Sequence, residues 1–277
     1  MIKSDFHMHS NHSGDSEAPM RDMIQSAIDR GLEKICFTEH NDPDFVYRKT
    51  DRFGMFDLDY SPYAGELTSL KSEYESQIRI GFGVELGVQP GIYEKLSSYV
   101  SNHPFDFVIA SSHLCRKKDP YWPDFYEGIS IRRGILDYFE EILENVTSYK
   151  DFDIYGHLDY VVRYISNTKR ENEYTYRFDD FKDVIEAILK TLIANGKGIE
   201  INTSALKGAI SNTNPCPEII RFYKELGGEI ITVGSDAHKP EHIAYGFDAA
   251  ERILTEAGFS HYCTFEERKP LFHDLGR

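Results

Sequence analysis

The chain has 277 residues, enough for one large domain or two small ones. Apolar residues make up 40% of the sequence, which allows a sizeable core and argues against disorder. The formal net charge of −15 repels a nucleic-acid backbone over most of the surface. Polyanion binding is therefore disfavoured, although a local basic pocket is still able to hold one phosphate.

The four cysteines are scattered, with no CxxC pair, and this usage favours a reducing cytoplasm over a disulfide framework. The first residues, MIKSDFHMHS, lack the apolar stretch of a signal peptide, and no apolar window reaches membrane-spanning length. We therefore expect a cytoplasmic protein with neither a membrane nor a nucleic-acid partner. The sequence leaves the oligomeric state open.

Short apolar segments recur along the chain, and helical patterns lie between them. Strands are predicted over seven ranges: 2–7, 34–38, 79–85, 105–111, 152–157, 198–203 and 229–236. Helices are predicted over 19–30, 133–146, 180–195 and 215–226, where apolar residues recur at helical spacing. Strands that alternate with helices imply parallel pairing and right-handed crossovers.

This succession predicts a single α/β domain over residues 1–277, built as a TIM-like barrel, with an open doubly wound sheet as the alternative. Two polar insertions, 41–77 and 164–180, are longer than barrel turns, and we expect them to be functional or mobile. The C-terminal stretch YCTFEERKPLFHDL is interpreted as a final strand and a packing tail.

Histidines and acids stand where the predicted strands end. These residues are His7, His9, His40, Glu85, His113, His157, Asp236 and His238. In a parallel barrel all strand C-termini open on one face, where such folds carry their active sites. We therefore expect these side chains to converge. The remaining histidines are interpreted as having no role in this cluster: His12, His103, His242, His261 and His273.

Neutral imidazole together with carboxylate suits Zn, Mn or Fe, and the lack of clustered cysteines argues against a structural zinc site. The ligands outnumber what one ion is able to use, so at least two ions are implied. Closely spaced ions can share a bridging carboxylate and generate hydroxide at neutral pH. Glu85, which lies between histidine-bearing strands, is the candidate bridge.

Seven short motifs occur in this order: DFHMHS, FTEH, GVELG, SSH, GHLDYVVRY, EINTS and GSDAH. Together they span residues 5–238 and resemble the PHP (polymerase and histidinol phosphatase) superfamily. GHLDYVVRY and EINTSALKG are similar to the histidinol-phosphate phosphatase branch, with weaker support from FDLDYSPYAGELTSLKSEY.

The resemblance implies a distorted TIM-like (β/α)7 barrel with three divalent metal ions, which are Mn, Zn or Fe. It assigns His7, His9, Glu85 and Asp236 to one ion, Glu85, His113 and His157 to a second, and Asp15, His40 and His238 to a third. Asp15 lies in NHSGDS, which is alternatively a polar turn leading to the helix predicted from residue 19.

The same resemblance implies a phosphomonoesterase that converts L-histidinol phosphate to L-histidinol and phosphate in histidine biosynthesis. The expected mechanism is in-line attack by a metal-bridging hydroxide, with Glu85 and Asp236 as catalytic residues. Arg163, six residues after His157, is the first candidate to orient the phosphate and to act in catalysis.

Further candidates for binding this small phosphorylated substrate are Lys207, Asn202, Ser204 and Arg116. Histidinol phosphatases often carry Arg at the position of Lys207, so a bidentate clamp becomes a point charge here. For Arg116 the alternative is a solvated loop cation.

Three other functions stay open. A PHP-type nucleotide phosphatase or 3′–5′ exonuclease shares the metal ligands, but the net charge and the lack of a basic, aromatic-studded groove disfavour it. An amidohydrolase-like barrel normally signals itself by a candidate carbamylated lysine at a strand end, which is missing here. A non-catalytic regulatory module is disfavoured by the complete set of ligands.

Overall fold

The computed structural model describes residues 1–49, 51–208 and 212–276. Within these ranges, seven parallel strands form one sheet and are hydrogen-bonded in chain order. They are β1 (Ser4–Met8), β2 (Lys34–Asn41), β3 (Arg79–Gly87), β4 (Phe107–Ser111), β5 (Ile154–Tyr155), β6 (Gly198–Asn202) and β7 (Ile231–Gly234). Just beyond β7, Ala237 forms a parallel bridge with Met8, so the sheet closes on itself. The TIM-like barrel is confirmed, and the open sheet is excluded.

The described α-helices pack outside the barrel. They are α1 (Met20–Asp29), α2 (Tyr60–Tyr74), α3 (Tyr93–Ser101), α4 (Ile131–Ser148), α5 (Lys182–Ala194), α6 (Pro217–Glu225) and α7 (Phe247–Glu256). In α4, Ser130 caps the first turn by accepting a hydrogen bond from the backbone N of Arg133, and Ile131, Ile135 and Ile142 are buried on one stripe. None of the helices in the described ranges is long and apolar enough to cross a membrane.

Most predicted elements agree with the observed ones to within a few residues. The exception among the strands is the prediction over 152–157, where only Ile154 and Tyr155 pair. The insertion 41–77 contains α2, which the sequence analysis did not predict; Tyr63, Leu67 and Tyr74 form its buried stripe inside a Tyr-rich, largely polar segment. The insertion 164–180 consists mainly of short 3₁₀ turns.

The C-terminal segment forms an antiparallel hairpin of β8 (His261–Glu266) and β9 (Lys269–Asp274). Phe265 of β8 packs against Phe107 inside the barrel, with ring centroids 4.9 Å apart, and Phe107 also contacts Phe6. All three rings are almost fully buried, which stabilises the fold by roughly 1.5–3 kcal/mol per side chain. These rings belong to a small apolar cluster in which Phe107 is the first residue of β4, whereas the histidines and acids stand at the strand C-termini.

Candidate metal centre and active site

The ends of β1 to β3 bring the first ligands together. His7 and His9 are two residues apart at the end of β1, so their side chains turn to the same side, and both are fully buried. In the register between β2 and β3, His40 lies directly beside Glu85. The Nε2 atoms of His7 and His9 are 3.1 Å apart, and they lie 3.1 and 3.5 Å from Glu85 Oε2.

Glu85 lies at the centre of the cluster, and its two carboxylate oxygens face different imidazoles. Oε1 lies 3.2 Å from His113 Nε2 and 2.9 Å from His157 Nε2. Oε2 faces His7 and also lies 3.1 Å from His40 Nδ1. The carboxylate therefore joins two groups of nitrogen ligands, which is the arrangement that a bridging ligand requires.

The loop after β7 completes the cluster. Asp236 Oδ1 lies 3.5 Å from His9 Nε2, and His238 Nε2 lies 3.2 Å from Asp15 Oδ2. Asp15 also lies 3.5 Å from His40 Nε2. The structure thus brings together all the residues that were predicted as metal ligands, Asp15 included.

The cluster fits divalent cations. Four overlapping sets of three side chains place their ligand atoms within 4.8 Å of one another. Three buried ligand atoms, His40 Nδ1, Glu85 Oε2 and His238 Nε2, make no well-formed hydrogen bond among the described residues, and their nearest partners are other ligand candidates. A buried polar atom without a well-formed hydrogen bond costs about 1–3 kcal/mol, so these atoms are suited to a ligand. Nitrogen and oxygen donors of this kind suit Zn, Mn or Fe.

The electrostatics of the cluster also favour a cation. Burial alone would lower the pKa of His7, but the carboxylates of Glu200, Glu85 and Asp236 outweigh it and hold that pKa well above its ordinary value. Burial opposes the charge on Glu85 as well, yet the imidazoles of His7, His113 and His40 hold its pKa well below the usual range. Glu85 and Asp236, whose pKa is likewise held well below its usual range, thus stay ionised and supply negative charge that a divalent ion neutralises.

The chain is similar to known proteins over most of its length. The model of the PHP domain matches residues 5–204. The chain belongs to the PHP domain family. It is 32% identical to a histidinol-phosphatase of Lactococcus lactis over 97% of this chain and 96% of that protein. It is 30% identical to a probable histidinol-phosphatase of Clostridium acetobutylicum over 90% of this chain and 91% of the relative.

Solved structures agree with the PHP-family fold. The histidinol phosphate phosphatase of Lactococcus lactis, complexed with zinc, L-histidinol and phosphate, superimposes with a TM-score of 0.87 at 30% identity, over 97% of this chain and 98% of that one. A structure from Listeria monocytogenes has a TM-score of 0.76 at 16% identity, which supports the shared fold alone.

In this PHP domain, two further carboxylates contact the ring nitrogens of His7 and His113 that face away from Glu85. The Nδ1 atoms of His7 and His113 each lie 2.6 Å from a carboxylate, that of Glu200 and that of Asp42 respectively. Such contacts fix the tautomer and leave Nε2 free to bind metal. The sequence analysis missed both acids. Glu200 lies in the motif EINTS on β6, and nothing in that motif indicated that its carboxylate contacts His7 on β1.

Arg163 reaches over the cluster from the 3₁₀ segment after β5. Its Nε donates to Asn214 Oδ1 at 2.6 Å, and its terminal nitrogens donate to Asn202 Oδ1 at 2.8 Å and to Asp236 Oδ2 at 3.4 Å. Ser204 Oγ donates to Asp236 Oδ2 at 3.1 Å. Asn214, which the sequence analysis did not single out, thus holds the guanidinium in place.

The other predicted contacts lie elsewhere. Lys207 borders a neighbouring groove that it shares with Arg163 and Ser204; its Nζ lies 5.7 Å from the ring centre of Tyr245, and burial lowers its pKa. Arg116 pairs with Asp137 of α4, outside the residues that line the main cavity.

A cavity of about 380 Å³ opens above the cluster. Seven of the metal-ligand candidates line it, namely Asp15, His40, Glu85, His113, His157, Asp236 and His238. Arg163, Tyr160 and Tyr164 line it as well, together with Phe56, Trp122 and further aromatic and acidic side chains. A cavity of this size accommodates a small molecule.

Proposed function

We propose that this protein hydrolyses L-histidinol phosphate to L-histidinol and phosphate, a step of histidine biosynthesis. The observation that carries the proposal is the position of Glu85 in the lining of the cavity, between two groups of imidazoles, with the guanidinium of Arg163 beside Asp236. The likeness to histidinol-phosphatases over nearly the whole chain supports the same substrate.

For the metal ions we propose three positions that share the cluster. The ligands are His7, His9, Glu85 and Asp236 for the first, Glu85, His113 and His157 for the second, and Asp15, His40 and His238 for the third. Divalent ions bound there supply Lewis acidity, which makes water nucleophilic at neutral pH and neutralises the charge of the phosphate.

The protein's own part is to hold the phosphate at this cluster. Arg163 is held by Asn214 and Asn202, so its guanidinium is preorganised to bind the phosphate. The side-chain amide of Asn202 already contacts Arg163, Asp236 and the backbone N of Ser204, so we propose that it positions Arg163. Lys207 adds positive charge from the neighbouring groove.

All four cysteines are free and buried, which supports our proposal that the reaction takes place in the reducing cytoplasm. The cavity suits a small phosphorylated substrate, and we propose that neither a nucleic acid nor a membrane is a partner.

The test is phosphate release from L-histidinol phosphate with added Mn²⁺ or Zn²⁺, beside p-nitrophenyl phosphate and a 3′-phosphorylated nucleotide. We expect kcat/KM for L-histidinol phosphate to exceed the other two by at least about tenfold, since substrate groups remote from the phosphate add binding energy in the transition state. Turnover of the nucleotide without turnover of L-histidinol phosphate would overturn the proposal.

A further inference from the structure

Glu39 is a fully buried carboxylate for which the proposed mechanism has no use. It precedes His40 on β2, and neighbouring side chains of a strand point to opposite faces. Its oxygens accept hydrogen bonds from the backbone N of Ser10 at 3.0 Å, from Ser10 Oγ at 2.6 Å and from Ser13 Oγ at 2.5 Å. Burying a charge costs free energy unless it is hydrogen-bonded. The three contacts lower that cost, but packing alone does not explain why a carboxylate is kept at this position.

Ser13 connects Glu39 to two of the metal-ligand candidates. Its Oγ lies 3.0 Å from the backbone N of His40, 2.5 Å from Glu39 Oε2 and 3.1 Å from His9 Nδ1. A backbone N–H only donates. Burial raises the pKa of Glu39, but the hydrogen bonds from Ser10 and Ser13 oppose that shift, and in the ionised form that the relay requires the carboxylate only accepts. Ser13 therefore accepts from His40 and gives its single hydroxyl proton to Glu39.

These two contacts leave Ser13 one lone pair for His9. Since the hydroxyl proton is already used, the hydrogen bond between Ser13 Oγ and His9 Nδ1 requires the proton to sit on Nδ1. A neutral imidazole protonated on Nδ1 has a bare Nε2, and Nε2 of His9 faces Glu85 and Asp236, at 3.5 Å from each.

We propose that Glu39 and Ser13 form a relay that holds His9 in the Nδ1–H tautomer and so makes its Nε2 a metal ligand. Both are positioning residues, because neither side chain reaches the cavity. The proposal rests on the proposed function in that His9 is taken to bind metal there. In this relay Glu39 and Ser13 support His9 in the way that Glu200 supports His7 and Asp42 supports His113.

Glu39→Gln tests the relay because it keeps the shape and reverses the hydrogen bonding. Ser10 presents two donors, so the one acceptor oxygen of Gln faces Ser10 and the amide NH₂ faces Ser13. Ser13 then accepts from the amide and turns its hydroxyl proton to His9 Nδ1. The imidazole proton moves to Nε2, where it blocks the metal.

The experiment measures Zn²⁺ affinity of the full chain by competition with a chromophoric chelator, and the ring protonation of His9 by ¹⁵N NMR of the metal-free protein. We expect E39Q to lower the affinity by about 10–100-fold and to move the proton of His9 from Nδ1 to Nε2. Asp153→Asn is the matched control, since Asp153 is a buried carboxylate that binds Arg268 and the backbone of Val108 at the opposite end of the barrel. It should leave both readouts unchanged.

Ser13→Ala keeps the proposal testable if E39Q does not fold, because it deletes the hydroxyl without burying a new polar group. It should also lower Zn²⁺ affinity, by at least about tenfold. Wild-type affinity in either variant, or an unmoved proton in E39Q, overturns the relay. Both readouts are independent of turnover, so a protein that shows the relay yet leaves L-histidinol phosphate intact refutes only the proposed function.

Discussion

Replacing Arg163 with Ala is the perturbation whose size follows most directly from the structure. A guanidinium has five N–H donors; Asn214, Asn202 and Asp236 accept from three of them, and the hydroxyl of Tyr164 also hydrogen-bonds the side chain. We expect the phosphate to displace Tyr164 and to accept from the two N–H groups that do not bind the other three residues, one on each terminal nitrogen. A hydrogen bond that involves a charged group contributes about 1.5–3 kcal/mol, so two of them contribute about 3–6 kcal/mol.

This loss corresponds to a decrease in kcat/KM of about 10²–10⁴-fold, most of it as a higher KM for L-histidinol phosphate. The assay is steady-state phosphate release, with metal content measured in parallel because Asp236 also loses a donor. Arg163→Lys keeps the charge without the two N–H groups on separate terminal nitrogens, so we expect it to fall between Ala and the wild type.

Arg116→Ala is the control for charge alone. Its side chain is 55% exposed and pairs with Asp137 outside the cavity, so we expect kcat/KM to stay within about twofold of the wild type. A decrease below about threefold in Arg163→Ala, or an equal decrease in Arg116→Ala, would refute the assignment of the phosphate to Arg163.

Four further results are expected at the metal cluster. Asp236→Asn should abolish turnover while the melting temperature is retained; an unchanged kcat would remove Asp236 from the centre. Glu200→Gln should lower metal affinity by about 10–100-fold, because its amide NH₂ donates to His7 Nδ1 and reverses the tautomer; unaltered affinity in a chelator competition would contradict this. Removing metal by dialysis against a chelator should lower thermal stability, since a ligand at a hundredfold excess over its Kd contributes about 2.7 kcal/mol; calorimetry showing equal melting temperatures would refute metal binding by the folded chain. Metal affinity should fall as pH decreases from about 8 to 6, because ligating imidazoles must be neutral and surrounding carboxylates hold the pKa of His7 and His40 above its ordinary value; a flat profile in titration calorimetry would be the contrary result.

The sequence by itself determined the barrel and which histidines and acids meet in the cluster. Short apolar strands that alternate with helices leave few topologies, and parallel strands bring their C-termini to one face. His7, Glu85 and Asp236 are therefore predictable as neighbours although more than 200 residues separate the first from the last. The motifs around them identify the family for the same reason, since each motif ends a strand.

Only the tertiary structure decided which side chains support those ligands. The contact between His7 and Glu200 joins residues 193 positions apart, and that between Arg163 and Asn214 joins residues 51 apart. No local pattern sets the direction in which a side chain leaves a loop, so Asn214 was missed and Arg116 was placed near the phosphate. Glu39 shows this limit most clearly. It precedes His40 in the sequence, yet its proposed role depends on the loop after β1, which places Ser13 between Glu39 and His9.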